Sequence, residues 1–442
     1  MATALDPSGV NRKRKCAAAG LGSLHDDMLE RVLARLPPAT FFRLRAVSRR
    51  WRHAAGSATF RAACAGVPNR DPWFLMLSDA NPSHHDANKD LHSTNDDETA
   101  RSPGAAVVFD SGERAWAGWL GAPAGGPVPV ASAGGLVLYR DQTSGDLTVV
   151  NPLTGATRAL PSPPPAASTD ALHAVAMYDG SSPQCYRVFL FLGDLPDLSV
   201  LAFDSSTNAW DHEPVPLTRQ HPAQHQHDAE PEPDDDDDGA AVYFLSKSGD
   251  VVVSTTTYRI PSRQYACAVT RRRSGPTNDD GGSEAVVAHF LSRSGTVVSV
   301  DVARRAFAEL PRVHPARHEH AIDVVACDGG AAYAVVLSEF LGAASLRVWE
   351  FAEGAWRQVA AMPPAMANAF VGAKADVNCV GHGDRIMVCV TGSGEADING
   401  CFLCDVKSNR WEELPRCVVG GDDGGGDLVA AVSFEPRIEA AV

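Results

Sequence analysis

The chain has 442 residues, 44% of them hydrophobic, and 54 Asp and Glu against 39 Lys and Arg leave a formal net charge of −15. That length exceeds one ordinary domain and the apolar fraction suffices for a large core, while the negative balance disfavours nonspecific nucleic-acid binding, which needs a basic surface to displace counterions. No run of eighteen apolar residues occurs, and the first twenty residues lack the apolar core of a secretory signal; a nuclear or cytoplasmic protein without a membrane anchor is expected, its ten scattered cysteines reading as buried thiols.

Residues 1–20 read as a disordered tail. It contains Arg12-Lys13-Arg14-Lys15, a basic cluster of the kind import receptors read, or simply a solvated tail. From residue 21 to 66 the pattern is helical. Leu29, Val32, Leu33 and Leu36 fall at helical spacing with Arg31 and Arg35 on another face; Ser23 and Asp26 offer capping oxygens, and Pro37-Pro38 cannot continue the hydrogen-bond ladder. A second apolar set follows in Phe41, Phe42, Leu44, Val47 and Trp51, and Phe60 marks a third short segment. Three short helices in about forty-five residues are near the lower limit for a core that stands alone, so the unit is expected to bury apolar surface on a partner.

The order Leu24, Asp27, Leu29, Val32, Leu33, Leu36-Pro37, Phe42, Arg43, Leu44, Arg45, Val47, Arg49-Arg50-Trp51 and Phe60 resembles an F-box. His25 departs from the pattern, since the family usually has proline after the first leucine. The resemblance implies a docking module for a Skp-type adaptor, itself attached to a cullin and a RING protein in a ubiquitin ligase. The adaptor contacts it implies are Leu24, Leu29, Val32, Leu33, Leu36, Pro37, Leu44, Val47 and Trp51.

Beyond the helices, short apolar runs rich in valine, alanine and glycine alternate with Gly, Pro, Asp and Ser, which is an all-β signature. One phrase recurs: an apolar strand, an acidic or amide residue, a turn, and an aromatic six positions later, often followed by Leu-Pro. It places Asp110 with Trp116, Asp204 with Trp210, Asp301 with Phe307, Glu350 with Trp356 and Asp405 with Trp411; Asn151 fits with Thr157 in the aromatic slot. Most steps are about fifty residues, but 204 to 301 is 97, so a degenerate seventh unit is expected near Val252 and Tyr258. Repeats of this size stack radially into a β-propeller, with the aromatic wedged between neighbouring blades.

Gly134-Gly135 and Gly329-Gly330 precede strands as in kelch repeats, which the region 73–442 resembles. The expected architecture is therefore a small all-α F-box followed by an all-β kelch-type propeller, seven blades favoured and six possible. The strand at Val432 to Phe434 has no blade of its own and is expected to pair near Trp73 to Leu77, closing the ring. Polar stretches near 81–104, 218–239, 271–284 and 418–427 read as loop insertions. The run Asp234 to Asp238 reads as a solvated loop or a contact for a basic partner.

Motifs for chemistry are absent. No phosphate loop, nucleophile elbow or kinase set occurs, and His318-Glu319 lacks a second His at Ile322. Cys401 and Cys404 lie in an expected strand without a second pair; His225 with His227, His314 with His318 and His320, and Asp422, Asp423 and Asp427 are weak metal patterns in polar loops. No catalytic residue, metal or cofactor is assigned. The reading is a non-catalytic substrate receptor of a ubiquitin ligase, its propeller loops holding an unidentified protein target. A scaffold or transcriptional cofactor is the alternative. A copper oxidase would need Tyr, His and Cys ligands to converge, and Tyr139, Tyr178, Tyr186, Tyr243, Tyr258, Tyr265 and Tyr333 show no such set.

Overall fold

The protein is described from a computed structural model covering residues 24–46, 48–54, 56–78, 106–119, 126–165, 172–180, 185–220, 244–245, 265–273, 284–292, 296–313, 320–327, 330–393, 399–417 and 428–442. The chain divides into two compact units, Met1–Pro68 and Asn69–Val442. The tail 1–20 lies outside the described residues.

Among its described residues the first unit holds four short helices: α1 (Asp26–Ala34), α2 (Pro38–Arg45), α3 (Arg49–Ala54) and α4 (Ala58–Ala65). Prolines end one helix and start the next, because Pro37 caps α2 and Pro38 occupies its first turn, where a missing N–H costs nothing. The expected cap of α1 takes another form. His25 stands at the N-cap without a side-chain bond, Ser23 is outside the described residues, and Asp26 pairs instead with Arg50 of α3 at 2.8 Å. The cap of α4 is the stronger one: the Ser57 hydroxyl accepts from Phe60 N at 2.9 Å and donates to Glu30 of α1 at 2.7 Å. Leu29, Leu33, Phe41, Phe60 and Cys64 are buried, with the rings of Phe41 and Phe60 stacked 5.0 Å apart.

The second unit is a six-bladed propeller. Its blades, in chain order, have inner strands at Leu428–Phe434, Val128–Ala133, Leu172–Asp179, Ala268–Arg273, His320–Ala326 and Lys374–His382. The first blade is closed as expected, since Trp73 pairs with Phe434 and Leu75 with Val432, so the last strand of the chain completes the sheet begun by Trp73–Ser78. Phe434 then sits between Trp73 and Trp119, at ring distances of 6.2 and 5.8 Å. Closure removes the exposed edge that an open sheet would present.

Six apolar clusters, each shared by two neighbouring blades, run around the ring. This overturns the seven-blade expectation. Ala174, Phe189 and Phe191 of the third blade pack with Ala288, Phe290 and Val298 of the fourth, leaving no place for a blade between them. The stretch counted as a seventh unit, around Val252 and Tyr258, lies outside the described residues. The long gap is an insertion: the chain leaves the third blade, adds Thr218–Arg219 to the outer strand of the fourth and Phe244–Leu245 to the inner strand of the fifth, and only then enters the fourth. Thr218–Arg219 and Arg271–Arg273 are strand rather than loop; 81–104, 221–239, 274–283 and 418–427 lie outside the described residues. Among the described residues one double-glycine turn, Gly134-Gly135 in the second blade, leads into a second strand, and Gly329 lies outside them, so the sheets support a propeller without singling out the kelch type.

The recurring phrase is the hairpin between third and outer strands. In five blades the Asp or Asn begins a turn by accepting backbone N–H bonds on its own side chain: Asp110 from Gly112 and Glu113, Asn151 from Leu153 and Thr154, Asp204 from Ser206, Asp405 from Ser408, and Asp301 from Arg304 at 3.0 Å. Glu350 does not. In that blade the turn is two residues shorter, Phe351 faces Trp356 across the strands, and Ala352 occupies the Asp position.

The aromatics join blades through a bond the spacing alone does not reveal. The indole N–H groups of Trp116, Trp210 and Trp356 donate to the carbonyls of Pro415, Pro161 and Pro311 at 2.8, 2.6 and 2.6 Å. Each acceptor is the proline of the Leu-Pro pair that ends the preceding blade, so the two halves of the phrase are the two sides of one joint. Every one of these indoles also packs on a Phe of its own blade, at 5.0 to 5.3 Å.

Candidate functional site

Two surfaces carry chemistry of interest, one on each unit. On the helical unit, α1 is apolar on two adjoining faces. Leu29 and Leu33 point inward at 1% and 2% exposure, whereas Met28 and Val32, four residues apart, stand in water at 52% and 38%. Leu24, Leu36, Leu44 and Trp51 are half-buried and Pro37 is exposed; Val47 lies outside the described residues. Of the residues named from sequence, Leu29 and Leu33 thus serve the unit's own core, and Val32 with Met28 forms its outward stripe. Met28 was missed, although its spacing of four from Val32 is the signal that finds it. Arg45 covers the ring of Phe42 at 4.7 Å, and Arg50 also donates to the Leu24 carbonyl, which holds the entry to α1 against α3.

On the propeller, the inner strands of all six blades line a central cavity of about 460 Å³. Its charged groups gather at or near the C-terminal ends of inner strands. Asp179 pairs with Arg271 across the third and fourth blades. His382 lies 3.7 Å from Glu435, and Arg437 reaches Glu435 at 2.5 Å and Glu439 at 3.1 Å. Burial pushes the Glu435 carboxyl up, yet the His382 hydrogen bond and the Arg437 charge outweigh it and hold the group below the ordinary carboxylate range.

The segment after Phe434 is held down by one exception in the repeat. Asn151 is fully buried, and its amide donates to the carbonyls of Arg437 and Ala440 at 3.1 and 2.7 Å while its oxygen builds the turn. An aspartate, which fills this slot in the first, third, fourth and sixth blades, has no N–H to give. Gly135 completes the seat, because a Cβ there would stand 2.7 Å from the Arg437 Cβ.

Of the motifs named for metals, the cysteine pair packs into the blade interfaces. Cys401 and Cys404 are three apart on one strand and so point to opposite faces, one toward the sixth-to-first blade cluster and one into the fifth-to-sixth. Burial pushes the Cys404 thiol up to about 12, so it stays protonated. Among the described residues no group of three or more His, Cys, Asp or Glu is spaced to hold a metal. His225, His227, His314, His318, Asp422, Asp423 and Asp427 lie outside the described residues. Tyr139 is buried beneath Trp119, which donates to its hydroxyl at 3.1 Å, and Tyr178 stacks on Phe189, so these phenols are packing groups of different blades.

The architecture is a short helical unit with an outward apolar stripe, followed in the chain by a closed ring of six blades. Residues 21–62 match the F-box domain family. "F-box only protein 13" of Arabidopsis thaliana is 37% identical over 432 residues, covering 96% of this chain and 86% of that protein. "Protein ABERRANT PANICLE ORGANIZATION 1" of Oryza sativa subsp. indica is 24% identical over 450 residues, covering 94% and 88%. The chain belongs to the F-box protein family.

Proposed function

We propose that this protein is the substrate-recognition subunit of a Skp-cullin-F-box ubiquitin ligase. F-box domains generally bind Skp-type adaptors, and the observation that carries the reading is the divided helix: Leu29 and Leu33 hold α1 in place while Met28 and Val32 are offered to solvent. Leu24, Leu36, Pro37, Leu44, Val47 and Trp51 extend the adaptor surface. The propeller holds a target protein, and the ligase contributes catalytic groups that this chain does not need; its own contribution is proximity. Co-expression with a Skp-type adaptor tests the reading: a one-to-one complex that survives gel filtration is expected. Failure to form it at micromolar concentration, with both proteins folded, would refute the docking half.

A further inference from the structure

Two thiols meet in the sixth blade. Cys389 lies on the second strand, Arg385–Ser393, and Cys401 on the third, Asn399–Asp405; they are direct partners in the register, and their sulfurs stand 3.4 Å apart. The kind of rung they share is fixed by the backbone around it. The Cys401 carbonyl accepts from Leu414 N at 2.8 Å, so the backbone polar groups of Cys401 face the outer strand and turn away from Cys389. At the other end of the same two strands Val406 N donates to the Asp384 carbonyl at 2.9 Å, and because rungs alternate, the odd step from 384 to 389 again makes the Cys389–Cys401 rung one without cross-strand hydrogen bonds. Such rungs bring opposed Cα atoms to about 4.5 Å and their side chains closest, which is within the span that a disulfide bridges without moving the backbone.

The two sulfurs differ in access. Cys389 is fully buried, whereas Cys401 is half-buried and packs against the cluster that joins the sixth blade to the first. A small oxidant therefore meets Cys401 first, and the sulfur that can resolve the product is already in contact with it. Cys404 gives the contrast on the same strand: it points to the opposite face, and burial pushes its thiol up to about 12, so it keeps its proton.

We propose that Cys389 and Cys401 are a reversible oxidation site, closed to a disulfide by hydroperoxides. In the first step the Cys401 sulfur attacks the terminal oxygen of the hydroperoxide. An S–O bond forms, the O–O bond breaks, and the thiol proton goes to the leaving alcohol, or to water when the oxidant is hydrogen peroxide, which leaves Cys401 as the sulfenic acid. The Cys389 sulfur then attacks the Cys401 sulfur; the S–S bond forms, the S–O bond breaks, and the hydroxyl departs as water with the Cys389 proton. Together the two thiols give up two electrons and two protons, which the hydroperoxide takes up. A dithiol reductant returns both thiols by exchange through a mixed disulfide. The bridge ties the second strand to the third on the face covered by Phe74, Met76, Val107 and Phe109 of the first blade, at the seam where the ring closes. It is independent of the receptor reading, whose adaptor stripe, Met28 and Val32, belongs to the other unit.

The test uses the full chain and hydrogen peroxide. Remaining thiols are alkylated on unfolding, and the digest is read by mass spectrometry; a protease that cuts after Glu395 separates Cys389 from Cys401, so only a bridge keeps their peptides together. The joined pair, lighter by the mass of two hydrogens, should appear with Cys404 still alkylated, and dithiothreitol should restore both thiols. In Cys389→Ala the resolving sulfur is gone, so Cys401 should accumulate sulfenic acid that dimedone labels, a signal that wild type lacks. Both residues recovered as alkylated thiols at a dose that converts the exposed Met28 to its sulfoxide would overturn the site, and so would a bridge from Cys401 to the half-buried Cys417 in place of Cys389. The wild-type map decides even where the variant fails to fold.

Discussion

Helix α1 keeps Leu29 and Leu33 covered and leaves Met28 and Val32 in water, whereas the propeller's inner strands are covered by the next blade all the way around, cluster after cluster, with the last strand of the chain supplying the final cover. The helical unit is too short to cover every apolar residue, and that shortfall leaves Met28 and Val32 in water. The ring satisfies its core by repetition, so its informative places are where repetition fails: Asn151 for an aspartate, a shortened turn after Ala352. What distinguishes one unit is what is left uncovered, and the other what departs from the pattern.

Substitutions can break this contrast. The largest effect is expected for Met28→Asp with Val32→Asp, which puts two charges into an interface that adaptor binding would desolvate. Several kcal/mol are at stake, at about tenfold per 1.4 kcal/mol, so adaptor co-purification should vanish while calorimetry shows the propeller melting as before. Leu29→Asp, by contrast, should unfold the helical unit, and a pull-down could not tell that from a lost contact.

Next comes Phe434→Ala. This side chain is 2% exposed and wedged between Trp73 and Trp119 where the ring closes, so a loss of about 3–5 kcal/mol is expected in denaturant unfolding. A loss below about 1 kcal/mol would mean that the closing strand contributes little.

Asn151→Asp and Asp204→Asn sharpen the point about broken repetition, since they are the same exchange in opposite directions. The first keeps the turn but faces a buried carboxylate with the carbonyls of Arg437 and Ala440, which should cost about 2–3 kcal/mol and loosen the last eight residues to amide exchange. The second keeps an acceptor at an exposed turn and should stay within about 0.5 kcal/mol. Equal effects would show that the C-terminal segment does not depend on Asn151. Smallest is Trp356→Phe, which keeps the ring stacked on Phe351 but removes the N–H bonded to Pro311; about 1 kcal/mol is expected, and Trp116→Phe and Trp210→Phe should match it.

The same contrast explains what the sequence disclosed. The F-box was legible because its apolar spacing is local, and the third-to-outer hairpins were legible because an Asp that builds its own turn must lie a fixed distance before the aromatic. Inner strands such as Val128–Ala133 and Lys374–His382 carry no such local chemistry and stayed invisible. The blade count failed because a gap of 97 residues was divided by the repeat length, when the extra chain lends two short strands to blades other than a seventh. Glu350 matched by position only, since Phe351 opposite Trp356 is the true register. The cavity and its charged rim could not be read at all, because Asp179, Arg271, His382 and Arg437 come from strands far apart in sequence. The indole-to-proline joints were half visible: both partners were in the phrase, but nothing local says that Trp116 reaches Pro415.

The central claim is that the helical stripe couples whatever the ring holds to degradation. Pulse-labelling proteomics would compare cells expressing the full chain with cells expressing its Met28→Asp/Val32→Asp variant, after identifying the proteins captured by both. The account predicts that captured proteins live markedly longer with the variant, and that proteasome inhibition removes the difference. Captured proteins with equal half-lives under the two chains would contradict it.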